Sequence, residues 1–129
     1  MSCVRILRLA VAVILAAALA VPSAALASGG GVSRRGSCSG RSDWRLDVQK
    51  EDGGRLRVRY RIDGGASGQD WHIFMSDNGT GIFSGTRTSS LGGYLEVRTH
   101  TTNRVGPDAI KAAGNNLVTG ETCGGKATL

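Results

Sequence analysis

From Arg55 to Ile62 the chain alternates without a break, with Arg55, Arg57, Arg59 and Arg61 in one phase and Leu56, Val58, Tyr60 and Ile62 in the other. A β-strand turns this period of two into one apolar and one charged face, whereas a helix would scatter both sets around its circumference. The same phase recurs elsewhere. Trp44, Leu46 and Val48 alternate with Arg45, Asp47 and Gln49, and Leu95, Val97, Thr99 and Thr101 alternate with Tyr94, Glu96, Arg98 and His100. Trp71, Ile73 and Met75 mark a fourth inward set, and a shorter strand is predicted around Ile82 to Arg87. Ile110 and Ala112 suggest a further strand. One turn of helix over Asp108 to Ala113 is the alternative, but its length is marginal and strands surround it. A last strand runs from Thr119 through Cys123 to Leu129.

Turn residues separate these runs: Glu51-Asp52-Gly53-Gly54, the Gly-rich Asp63 to Gln69, Asp77-Asn78-Gly79, Ser89 to Gly93, and Gly114-Asn115-Asn116. The chain is therefore read as all-β, a single seven-stranded immunoglobulin-like antiparallel β-sandwich of the fibronectin kind, with a closed barrel as the alternative.

The first 27 residues are set apart. Arg5 and Arg8 precede an apolar run from Leu9 to Val21, and Ala25-Leu26-Ala27 supplies the small residues of a cleavage site, so residues 1–27 are expected to be a cleaved signal peptide. The apolar run is shorter than the roughly 20 residues a spanning helix needs. Residues 28–37, SGGGVSRRGS, show no periodicity and are expected to form a flexible leader, with the sandwich occupying 38–129. All 20 Gly lie beyond Ala27, too many for a helical bundle. Beyond Ala27 only Cys38 and Cys123 remain, with neither CxxC spacing nor His neighbours, so a Cys38–Cys123 disulfide in an exported protein is expected.

Cys38-Ser39-Gly40, the Trp71 strand, Gly85-Thr86-Arg87-Thr88, Asn103-Arg104-Val105-Gly106 and Thr119-Gly120-Glu121-Thr122-Cys123 together resemble small secreted proteins of high-GC Gram-positive bacteria. That resemblance implies an immunoglobulin-like extracellular domain with a disulfide joining its ends, and adds no activity. The cysteines do not occupy the second and sixth strands as in antibody domains, whereas Trp71 on the third predicted strand matches them.

Four guanidinium groups spaced along one strand face would meet successive anions of nucleic acid or a cell-wall polymer, making Arg55, Arg57, Arg59 and Arg61 a candidate polyanion-binding stripe. Asp47 and Glu96, in the same phase on other strands, are positioned to pair with it. His72 and His100 are the only general bases for a small hydrolase, and no Gly-x-Ser-x-Gly element accompanies them. No catalytic residue, metal site or cofactor is assigned: Asp77, Asn78 and Thr80 read as a hairpin turn, and Trp44 and Trp71 as core. The function expected is a secreted, non-enzymatic module that binds a protein or cell-wall polymer through the stripe or through loops 64–69, 77–81 or 89–93.

Overall fold

The structure, a computed structural model, describes residues 30–129, so the expected signal peptide lies outside the described residues. The chain forms eight strands: β1 (Gly31–Ser37), β2 (Asp43–Glu51), β3 (Arg55–Asp63), β4 (Asp70–Asp77), β5 (Thr80–Thr88), β6 (Leu95–Thr102), β7 (Ala109–Asn116) and β8 (Thr122–Thr128). They make two antiparallel four-stranded sheets, ordered β1-β2-β3-β6 and β5-β4-β7-β8. Successive strands β3 and β4 lie in different sheets, as do β6 and β7. A third crossing joins β5 to β6; because β3 pairs with β6 while β4 pairs with β7, the first two interlock the sheets.

The period of two decides what fills the space between them. Leu46, Val48, Leu56, Val58, Tyr60, Ile62, Leu95 and Val97 of the first sheet meet Trp71, Ile73, Met75, Ile110, Ala112 and Ala127 of the second, all buried. The strand reading of the segment around Ile110 holds: Ile110, Ala112, Gly114 and Asn116 are buried on alternate positions of β7.

Two expectations need correction. Residues 31–37 are not a flexible leader but an edge strand in register with β2 from Gly31 opposite Gln49 to Ser37 opposite Asp43. The pairing forms through the backbone, which hydrogen-bonds whatever the side chains are. The local sequence lacks alternation because one inward position, Gly36, must stay empty: a Cβ there would lie 2.9 Å from the Trp44 ring. The strand count is consequently eight rather than seven. The second correction concerns Gly114-Asn115-Asn116, which continue β7, while the turn follows at residues 117–121. Gly114 is held in the strand because Ile62 and Ile73 close over it, leaving 2.6 Å and 3.1 Å where a Cβ would sit.

Trp44 has an unusual seat. Its ring lies between Gly36 of β1 and Gly125 of the facing strand β8, with Tyr60 at 6.4 Å between ring centroids. It closes the sandwich on the edge where β1 and β8 meet. Cys38, just beyond β1, is bonded to Cys123 near the start of β8, so the expected disulfide fastens that same edge.

Candidate functional site

Strand register brings every odd-numbered residue of β1, β2 and β3 onto the outer face of the first sheet, together with Glu96, Arg98 and His100 of β6. Arg55, Arg57, Arg59 and Arg61 lie on this face, as their alternation demands, but they do not form an uncompensated stripe. Arg59 and Arg61 reach Asp47 at 3.2 and 3.4 Å, and Arg45 reaches the same carboxylate at 3.0 Å. Asp47 can serve three guanidiniums because β2 is flanked on this side by β3, which places Arg59 directly opposite it and Arg61 diagonally. Glu51 takes Arg55 at 3.5 Å, Arg57 at 3.7 Å and His100 at 3.1 Å. Glu96 takes Arg98 at 2.6 Å and Arg59 at 3.7 Å, and accepts the Tyr94 phenol.

Seven arginines (35, 45, 55, 57, 59, 61, 98) against five carboxylates (43, 47, 51, 63, 96) leave the face with a net charge of +2. Asp47 and Glu96 emerge from the alternation itself. Glu51 does not, because its position beside Asp52-Gly53-Gly54 reads as part of the turn. Arg45 and Arg98 were legible as outward residues, and only the register shows that they share counter-charges with the stripe.

Desolvation pushes the Asp47 carboxyl upward and is the largest single influence on it. Hydrogen bonds from Ser33, Arg45 and Arg59 and the charge of Arg45 together outweigh it and hold the carboxyl below the ordinary range. The Arg98 hydrogen bond, with that from Tyr94, lowers Glu96. The same bond to Glu96 raises the Tyr94 phenol. Tyr60, in the core, is raised by burial alone.

His72 and His100 lie on the outer faces of opposite sheets, so the fold does not bring them together. His72 borders a shallow cleft of about 220 Å³ with Phe74 and Ala113, and His100 sits on Glu51. Among the described residues no group of three or more His, Cys, Asp and Glu could hold a metal ion. Trp71 is buried and Trp44 half-buried, both within the sandwich.

The loops divide between the two ends. The two-residue turn Asn78-Gly79 has positive φ at both positions, 48° and 84°, and Asn78 ties it to β7 through Ala109 N and Pro107 O. Segments 64–69 and 89–93 lie at the other end, with 38–42 and 117–121. There the main chains bond to one another: Gly64 N to Gly92 O at 2.8 Å, Gly68 N to Ser89 O at 2.7 Å, and Leu117 N to Asp70 O at 2.8 Å. The buried Ser89 hydroxyl donates to Ala66 O and accepts from Gln69 N. The Asn116 amide donates to the Gln69 side chain, and Arg41 Nε donates to Gly64 O. Gly93, at φ 70°, approaches the Gly65 backbone so closely that a Cβ would lie 2.4 Å from it. These contacts leave a cleft of about 530 Å³ among Arg41, Ala66, Gln69, Thr119 and Glu121. Exposed Leu91, Leu117 and Val118 belong to the same group of connections.

No family model, no curated protein and no solved structure matches the chain.

Proposed function

We propose that the protein is a secreted, non-enzymatic binding module of immunoglobulin-like topology that engages a protein partner through its four-loop end. The topology is supported by strand order. With β2, β3, β4, β6, β7 and β8 taken as A, B, C, E, F and G, the sheets become A-B-E and C-F-G, β5 stands beside C in the place of C′, and Trp71 occupies its buried position on C. The extra strand β1 extends the A edge. The disulfide supports an oxidising, extracellular setting.

The observation that carries the binding reading is the mutual hydrogen bonding of the loops at one end. Loops bonded to one another and anchored by a rigid sandwich present a surface at low entropic cost, the condition for recognition by loops. Apolar tips at Leu91, Leu117 and Val118 suit a protein surface better than a polyanion. Polyanion binding through Arg55, Arg57, Arg59 and Arg61 takes second place, because each of the four already pairs with Asp47, Glu51 or Glu96.

Retention of the oxidised protein on isolated cell envelopes, with and without prior protease treatment of the envelopes, tests this reading. A Leu91→Ser, Leu117→Ser, Val118→Ser variant changes only exposed positions and is expected to lose retention while keeping its melting temperature. Retention that survives both the variant and the protease treatment would remove the loop end and a protein partner together.

A further inference from the structure

At one end of the outer face of the first sheet, like charges stand in rows. Arg35, Arg45 and Arg61 are directly opposite one another on β1, β2 and β3, and one step along the strands Asp43 stands directly opposite Asp63. Like charges in cross-strand pairs oppose folding, so two such rows side by side have a cost that mutual pairing would relieve. That pairing does not occur. Arg45 through Nε and Arg61 through Nη2 pair instead with Asp47 while still lining the cleft described below, and among the described residues Arg35, Asp43 and Asp63 make no ion pair within 4.0 Å. Among the described residues the buried Arg61 Nε–H has no acceptor. Both rows line a cleft of about 600 Å³ that also has Trp44 and Tyr94 among its walls. Tyr94 donates to Glu96, whose carboxylate also accepts from Arg98.

We infer that this cleft binds a small zwitterion, its anionic group on the Arg35-Arg45-Arg61 row and its ammonium on Asp43 and Asp63. The cleft adjoins the four-loop end on the sheet face, but includes none of Leu91, Leu117 and Val118 and does not depend on the reading of that end. An anion alone would meet the Asp pair, and a cation alone the arginines, so only a ligand bearing both charges a few ångströms apart satisfies both rows. Strand β1 is indispensable because it carries Arg35 and completes the anion row. An α-amino acid and a phosphoethanolamine group share the required chemistry.

Titration of the isotope-labelled, oxidised protein, followed by backbone amide shifts, tests this with four probes: glycine, O-phosphoethanolamine, inorganic phosphate and ethylammonium. At least one zwitterion is expected to bind about tenfold more tightly than phosphate or ethylammonium, with shifts centred on the ends of β1, β2 and β3 nearest Ser37, Asp43 and Asp63. Preference between glycine and O-phosphoethanolamine identifies the source. Arg35→Gln and Asp63→Asn, both exposed, are each expected to weaken that binding about tenfold without lowering the melting temperature. Phosphate binding as tightly as either zwitterion, or no shift with any probe at millimolar concentration, would overturn the inference.

Discussion

Adjacent glycines on β8 should respond in opposite directions to the same substitution. Gly124 points to open space, where the nearest atom to an added Cβ is Ala112 O at 4.0 Å. Gly124→Ala therefore gains only from the less flexible unfolded chain, about 0.4–1 kcal/mol. Gly125 faces Trp44, whose ring atoms would lie 2.3, 2.6 and 2.8 Å from the new carbon. The ring has little room to withdraw, because the Gly36 backbone backs its far side, where an added Cβ would lie 2.9 Å from the ring. Overpacking of this kind costs about 1–3 kcal/mol, which exceeds the unfolded-state gain and leaves Gly125→Ala less stable by about 1–2 kcal/mol. For a domain of this size that lowers the melting temperature by about 5–15 °C, while Gly124→Ala raises it by a few degrees. Thermal and denaturant unfolding of the oxidised proteins gives both numbers. Trp44→Leu supplies the control: combined with Gly125→Ala it should recover about 1–3 kcal/mol relative to the sum of the single changes. Equal stabilities for the two alanine variants, or purely additive behaviour with Trp44→Leu, would refute the account of the Trp44 seat.

Other expectations follow from the disulfide, the charged face and the hairpin. Replacing Cys38 and Cys123 together by Ala releases a loop of sequence separation 85, and chain entropy sets the loss at about 4–5 kcal/mol, measurable as a lower denaturant midpoint. Asp47→Asn should cost about 1–2 kcal/mol at neutral pH. Because the folded Asp47 carboxyl lies below its ordinary value of 3.8, its contribution is complete above that value and is lost as acid carries the pH through the lower folded value, so the gap between wild type and variant should close in acid. The quadruple variant with Arg55, Arg57, Arg59 and Arg61 changed to Gln should melt earlier, because it leaves Asp47 with Arg45, Glu96 with Arg98 and Glu51 with His100 as their remaining ion-pair partners. Gly79→Ala places a side chain at φ 84° and should cost about 1–2 kcal/mol in the same unfolding assay.

Where both faces of a strand have distinct work, the sequence carried the fold. Arg55 to Ile62 alternates because one side packs against Trp71 and Ile73 and the other meets water and carboxylates, and that contrast is written residue by residue. Strand β1 has no such contrast. Only Val32 touches the core, position 36 must lack a side chain to admit Trp44, and the strand exists through its backbone pairing with β2, which no local pattern records. Gly114-Asn115-Asn116 misled for the complementary reason: residues typical of a turn are held extended by Ile62, Ile73 and the Gln69 bond to Asn116. For the charged face, the outward phase of the arginines was legible, but the convergence of Arg45, Arg59 and Arg61 on Asp47 depends on register between strands. Arg35 was lost to view with β1, and with it the row that frames the cleft. The grouping of loops 64–69 and 89–93, with 77–81 at the opposite end, likewise depends on which strands cross between sheets.

The covalent clasp between β1 and β8 also determines how the protein would answer to force. A pull applied through the segments outside Cys38 and Cys123 travels across the disulfide and bypasses residues 39–122, so tension can peel β1 and β8 but cannot extend the strands between them. Under oxidising conditions six of the eight strands are mechanically shielded, and the loop end that they carry keeps its shape while the chain is under load.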